Sequence, residues 1–242
     1  MISVNSKEHH SKKIADCIAE EIQLRQKFNQ HLVLGLATGS TPIPLYDELV
    51  RLHTEENLSF RNVYTFNLDE YCGLNDNHPN SYHDFMYFNL FNRIDIPREN
   101  IFIPSGQIEP LFERDYCEGY EQTIKDLGGI DIQILGIGRS GHIGFNEPGS
   151  SVDSITRKVK LHDITRIDAS SDFGGFDNVP THAITMGMKT ILSANRIFFM
   201  AFGEAKQEIT KRAFCGEITD DLPASHLQKH NKKTICIDFN IN

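Results

Sequence analysis

Short apolar, β-branched runs alternate along this chain with longer segments of helical period, and that alternation limits the fold more than any other feature. Ile14, Ile18 and Ile22 recur every four residues, so residues 6–27 predict a helix with one buried face. Further helices are predicted over 42–53, with a proline near the start, and over 81–91, 109–127, 186–194 and 204–214. Gly128 and Gly129 supply the stop for the helix over 109–127. Buried strands are predicted over 32–36, 63–68, 101–103, 130–135, 197–201 and 234–238. Strand–helix alternation implies parallel crossovers, with helices on both faces of one mostly parallel sheet, an α/β class. Neither a linker nor an internal repeat interrupts the 242 residues, so residues 1–242 are read as one domain.

Charge and cysteine usage exclude several functions. The formal net charge is −9, which disfavours nucleic acid and an anionic membrane surface, since both select a basic footprint. The five cysteines are scattered, odd in number and without CxxC spacing, so neither a disulfide framework nor a cysteine metal site is expected. With no apolar leader at the N-terminus, they suggest a cytoplasmic setting. No cofactor is implied.

Parallel sheets bind ligands beyond the carboxyl ends of their strands. Three strand ends stand out. Ala37-Thr38-Gly39-Ser40-Thr41-Pro42 offers backbone N–H groups at a helix start, suited to phosphate; it also reads as a plain turn capped by Ser40 or Thr41. Phe66-Asn67-Leu68-Asp69-Glu70-Tyr71 sets two acids after a strand, either for proton abstraction or as a cap. In 136–148, four glycines in nine residues surround His142, and Glu147 follows five residues on, an acid/base arrangement with a defined tautomer. Lys206 follows a further strand, as a phosphate ligand or a solvated lysine. His9, His10 and His53 are placed on helix surfaces, and His226 and His230 form a weak metal pair. Segment 150–179 is polar and unpatterned; with Gly174-Gly175 it is read as a mobile lid over substrate.

At these residues the chain resembles the glucosamine-6-phosphate deaminase (isomerase) family. The resemblance rests on Leu34-Gly35-Leu36-Ala37-Thr38-Gly39-Ser40-Thr41-Pro42, Thr65-Phe66-Asn67-Leu68-Asp69-Glu70-Tyr71 and Gly141-His142-Ile143-Gly144-Phe145-Asn146-Glu147-Pro148-Gly149. His78-Pro79-Asn80-Ser81-Tyr82 and Pro223-Ala224-Ser225 agree as well. It implies a Rossmann-like three-layer α/β/α sandwich, no metal, and amino-sugar catabolism in the cytoplasm. The implied reaction is aldose–ketose isomerisation coupled to deamination, turning glucosamine 6-phosphate and water into fructose 6-phosphate and ammonia. Because water cleaves an imine, the chain is also expected to be a hydrolase. By resemblance His142 opens the sugar ring, Ser140 and Glu147 orient it, and Asp69 moves the C2 proton to C1. Thr38, Gly39, Ser40, Thr41 and Lys206 are expected to bind the substrate and its phosphate.

Two positions depart from the family pattern. Ser140 stands where Asp or Asn is usual; it is shorter and carries no charge. Ser171 stands where an Arg usually meets the phosphate, with Arg166 as a nearby substitute. That second departure is shared by galactosamine-6-phosphate deaminase-like relatives, which makes this hexose epimer the alternative substrate. Ser150, Ser151 and Arg157 match part of a family allosteric site, but the chain has no long C-terminal tail, so no such allostery is expected. A homo-oligomer is left open. A 6-phosphogluconolactonase is disfavoured by Asp69-Glu70-Tyr71 and Asn146-Glu147-Pro148. A non-catalytic sugar-phosphate sensor is the reading from a different class, motivated by Ser140 and Ser171.

Overall fold

The computed structural model describes residues 2–241. Its strands are β1 (Ile2–Val4), β2 (Leu32–Leu36), β3 (Val63–Asn67), β4 (Asp69–Tyr71), β5 (Ile101–Phe102), β6 (Ile132–Leu135), β7 (Arg157–Lys160), β8 (His182–Thr185), β9 (Arg196–Ala201) and β10 (Lys233–Ile237). Its α-helices are α1 (Lys7–Lys27), α2 (Ile43–Glu56), α3 (Tyr82–Asn89), α4 (Glu113–Asp126), α5 (Asp163–Ala169), α6 (Met188–Leu192) and α7 (Gln207–Cys215). Seven strands form one parallel sheet in the order β1-β10-β9-β6-β2-β3-β5.

The two faces of that sheet carry separate cores, as the period of two in a strand requires. Leu32, Leu34 and Leu36 point one way, onto Ile14, Ile18 and Ile22 of α1 and Leu45 and Leu49 of α2. Val33, Phe66, Leu135 and Phe199 point the other way, onto Tyr120 and Ile124 of α4, Ile191 of α6 and Ala213 of α7. Gly35 interrupts the leucine run because a Cβ there would lie 2.0 Å from the Gln133 amide oxygen on β6. This is the three-layer α/β/α sandwich of the sequence analysis. Among the described residues no helix is long and apolar enough to cross a membrane.

A second, three-stranded antiparallel sheet, β4-β8-β7, is an addition the sequence did not announce. Its strands escape the apolar-run criterion: β4 reads Asp-Glu-Tyr and β7 reads Arg-Lys-Val-Lys. The chain leaves the parallel sheet at Leu68, and Asp69 then pairs with Thr185 of β8. The segment 150–179 accordingly holds β7 and α5. β1, three residues at the sheet edge, was likewise too short to read.

Other boundaries shift for local reasons. The helix expected from 109 begins at Glu113, after a turn in which the Phe112 N–H donates to the Glu109 carbonyl. The helix expected over 204–214 opens as a 3-10 turn, Glu204–Lys206, before α7. Ser6 caps α1 by accepting the His9 N–H. His10 corrects a surface assignment: it is 2% exposed, with Nε2 3.2 Å from the Ile237 carbonyl and its ring stacked on Phe202.

Candidate active site

Chain order reverses between β6 and β2, since β3 and β5 lie on one side of β2 and β6, β9 and β10 on the other. A doubly wound sheet opens a crevice at such a switch point. The loops after β2, β3 and β6 meet there around a cavity of ≈210 Å³. Thr38, Gly39, Thr41, Asp69 and His142 all line it, so five of the expected site residues come together from three separate stretches of chain.

The loop after β2 is an open anion cradle. Gly39 turns with φ +88°, in the left-handed region that favours glycine. The helix α2 then starts behind Pro42 with no side-chain cap, so the capping alternative for Ser40 and Thr41 is not realised. Uncapped N–H groups and the helix dipole favour an anion at this end. Ser40 stands just outside the cavity, and Lys7 of α1 donates from Nζ to its carbonyl at 2.8 Å. Lys206 donates from Nζ to the carbonyl of Ile137, itself a cavity residue, at 2.9 Å.

Asp69 is 5% exposed, and among the described residues no hydrogen-bond donor reaches its carboxylate. Burial, and then the neighbouring Glu70 charge, push it well above the usual carboxylate range. Gly144 stands against it: a Cβ there would come within 3.0 Å of both Asp69 Oδ2 and Thr185 Oγ1. Glu70 plays the other part. It accepts the N–H groups of Tyr71, Tyr82 and His83 at 2.8, 3.0 and 2.9 Å, and so caps α3. Burial still raises it to about 7 against those donors.

His142 rests on Gly138, where a Cβ would fall 2.0 Å from its Nε2 and Cε1. Behind the ring, Ser140 Oγ lies 2.9 Å from Nδ1 and donates to Glu147 Oε2 at 3.4 Å. A hydroxyl that donates to Glu147 accepts from Nδ1–H, and this assignment leaves Nε2 as the basic nitrogen. Glu147, 4% exposed, also accepts from Thr165 Oγ1 at 2.6 Å and from the His162 N–H at 3.2 Å. Burial pushes Glu147 up, but the bond and charge of His142, with Thr165 and the His162 N–H, outweigh it and hold the carboxyl below its usual range. Ser140 and Glu147 thus stand behind His142 rather than in the cavity wall.

Several contributors were not assigned from sequence. Tyr82 and Phe145 line the cavity. Asn146, fully buried, ties the third loop down by donating to the carbonyls of Ile143 and Met186. Lys7 and Thr165 carried no motif signal, because they reach the site only through folding. Arg166 is no substitute phosphate ligand: its guanidinium donates to the carbonyls of Phe176 and Val179 at 3.1 Å and stacks on Phe176. His226 and His230 turn to different partners, Asp220 and the Ala194 carbonyl.

Residues 5–236 match the family described as glucosamine-6-phosphate isomerases/6-phosphogluconolactonase. A protein of Lysinibacillus sphaericus named glucosamine-6-phosphate deaminase is 45% identical over 234 residues, 97% of this chain and 96% of that protein. Glucosamine-6-phosphate deaminase 1 of Bacillus subtilis is 48% identical over 206 residues, 85% of this chain and 84% of that protein. A solved structure described as a monomeric glucosamine-6-phosphate deaminase superposes with a TM-score of 0.92 at 44% identity, covering 100% of this chain and 97% of that one. The 6-phosphogluconolactonase of Trypanosoma brucei, at 20% identity and a TM-score of 0.76 over 100% of this chain and 97% of its own, shares the fold. These names correct the expectation of a hydrolase: the relatives at 45% and 48% identity are named deaminases. The chain belongs to the glucosamine-6-phosphate isomerase/6-phosphogluconolactonase family.

Proposed function

We infer that this chain is a glucosamine-6-phosphate deaminase, and that residues 1–242 act as one catalytic domain. The observation that carries the reading is the meeting of Asp69 and His142 in one cavity beside an uncapped anion loop. Ring opening comes first, because the C2 proton is acidic only next to a C1 carbonyl. Nε2 of His142 takes the proton from the O1 hydroxyl and returns it to the ring oxygen as the C1–O5 bond breaks. The Ser140–Glu147 pair holds the ring in that tautomer. Asp69 then removes the C2 proton, and its burial makes it a stronger base than a solvated aspartate. The same carboxyl delivers a proton to C1, which converts the enolamine to an imine. Water adds to the imine carbon, ammonia leaves, and fructose 6-phosphate remains. The phosphate rests on the Gly39–Thr41 backbone, with Lys206 and Lys7 supplying local positive charge against the −9 of the whole chain.

The five free cysteines fit a reducing, cytoplasmic setting. The likeness to a relative described as monomeric supports a monomer over a homo-oligomer. Ammonia release, followed with glucosamine 6-phosphate and galactosamine 6-phosphate in parallel, tests the reading. Release favouring the gluco epimer supports it, and faster release from the galacto epimer replaces it with the alternative substrate. Binding without release from either would favour a sensor.

A further inference from the structure

Lys206 and Lys7 are the cations already named at the phosphate end of the site. Residues 168–173 hold no cation, and Arg166 is committed to two carbonyls and a ring. Arg157 is committed too, to Asn146 Oδ1 at 2.9 Å and Ser150 Oγ at 3.3 Å. Arg139 differs from both. It follows Gly138 and Ile137, two cavity residues, and Ile137 is the one whose carbonyl holds Lys206 Nζ. Its only ion-pair partner among the described residues is Asp168 at the end of α5, at 2.8 Å, and both side chains are well exposed, 57% and 40%. Burial lowers the Lys206 ammonium from its usual range; of the two smaller charge effects on it, Asp168 raises it and Arg139 lowers it.

We propose that Arg139 is a further substrate-binding residue, which exchanges Asp168 for the phosphate of the substrate, so that Asp168 acts as a built-in competitor at the phosphate end of the site. This rests on the deaminase reading above and names how that site selects a phosphomonoester dianion. An ion pair this exposed contributes little to stability, so giving it up costs little. A phosphate dianion offers a guanidinium two parallel charge-assisted hydrogen bonds and more charge than one carboxylate. In the empty site Asp168 offsets the repulsion between Arg139 and Lys206; in the filled site the phosphate takes over that role. A ligand without the phosphate has nothing with which to displace Asp168.

Arg139→Ala, Arg139→Lys and Asp168→Asn test the exchange. The readouts are kcat and KM for glucosamine 6-phosphate, and the dissociation constant of inorganic phosphate by calorimetry, with thermal unfolding as the folding control. Arg139→Ala should raise KM about tenfold or more, change kcat less than threefold, and weaken inorganic phosphate by a similar factor, the signature of lost uniform binding. Arg139→Lys should recover part of that loss. Asp168→Asn should lower both KM and the phosphate dissociation constant about two- to fivefold. Unchanged phosphate affinity in Arg139→Ala would overturn the contact. Weaker phosphate binding in Asp168→Asn would overturn the competition and make the pair a brace. Phosphate affinity reads the proposal even if no ammonia is released, so failure of the deaminase reading stays distinguishable.

Discussion

Ser140 Oγ sits 2.9 Å from Nδ1 of His142 and 3.4 Å from Oε2 of Glu147, bridging two groups that stand 3.5 Å apart. A short hydroxyl is enough because the turn at Gly141 folds residue 140 back beside the ring; Gly141 has φ +85° and its N–H donates to the Gly138 carbonyl. Ser140→Ala removes the bridge and leaves Glu147 to orient the imidazole from 3.5 Å. The expected loss is about ten- to a hundredfold in kcat, at the lower edge of general acid–base contributions, with KM little changed. Ser140→Asn should keep most of the rate. Steady-state ammonia release decides, and an unaltered kcat in the alanine variant would show that Glu147 suffices.

Asp69→Asn should lower kcat by about 10²–10⁴-fold, the range for a general base. It should not destabilise the fold. The carboxyl of Asp69 is pushed up by burial, so its folded state holds a proton more tightly than its unfolded state. Such a group adds stability below the ordinary aspartate range and loses it as pH rises through the folded value. The variant should therefore match the parent's Tm in acid and equal or exceed it at pH 8. A lower Tm at pH 8 would mean that the charged carboxylate is held by something stronger than burial opposes.

Glu147 has the opposite sign. It is held below its ordinary value of 4.5, so its contribution is present above that value and lost as pH falls through the folded one. Glu147→Gln should flatten the acid limb of a Tm-against-pH curve while also lowering kcat. Calorimetry from about pH 3 to 8 tests this, and an acid limb as steep as the parent's would assign that limb to other carboxylates.

Gly138→Ala places a methyl group where the His142 ring lies, 2.0 Å from Nε2. The ring has to swing off the glycine, and Ser140 and Glu147 then no longer face Nδ1. Misplacement of about 1 Å can cost roughly a hundredfold in rate. We expect a loss of that order in kcat with inorganic phosphate affinity unchanged. Near-normal turnover would mean that the ring tolerates the shift.

Glu121 of α4 takes three donors on one oxygen: the Thr156 N–H at 2.7 Å, Thr156 Oγ1 at 2.6 Å and Thr190 Oγ1 at 2.7 Å. It thereby ties the start of β7 and the helix α6 to the main body. Glu121→Ala strands these donors and should cost about 2–3 kcal/mol. For a chain of this length that is a drop in Tm of roughly 5–10 °C. An unchanged Tm would mean that water replaces the carboxylate without penalty.

The parallel sheet was legible in the sequence because most of its strands are dominated by apolar side chains buried on both faces. The candidate site was legible at the ends of three such runs, where Gly39, Asp69 and His142, which line one cavity, interrupt the apolar pattern with residues of special backbone freedom or charge. Set against the resembled family, the sequence also placed Ser171 where an arginine is usual. What it could not show is anything that depends on distance across the fold. The adjacent acids Asp69 and Glu70 look alike in sequence, yet alternate sides of β4 send one to the cavity and the other to the N–H groups of α3. The antiparallel sheet that fixes this alternation is built from three- and four-residue strands, two of them charged, whose pairing supplies what their composition does not. Lys7 reaches Ser40, Thr165 reaches Glu147 and Arg139 pairs with Asp168 across 33, 18 and 29 residues of chain, and only packing decides such contacts.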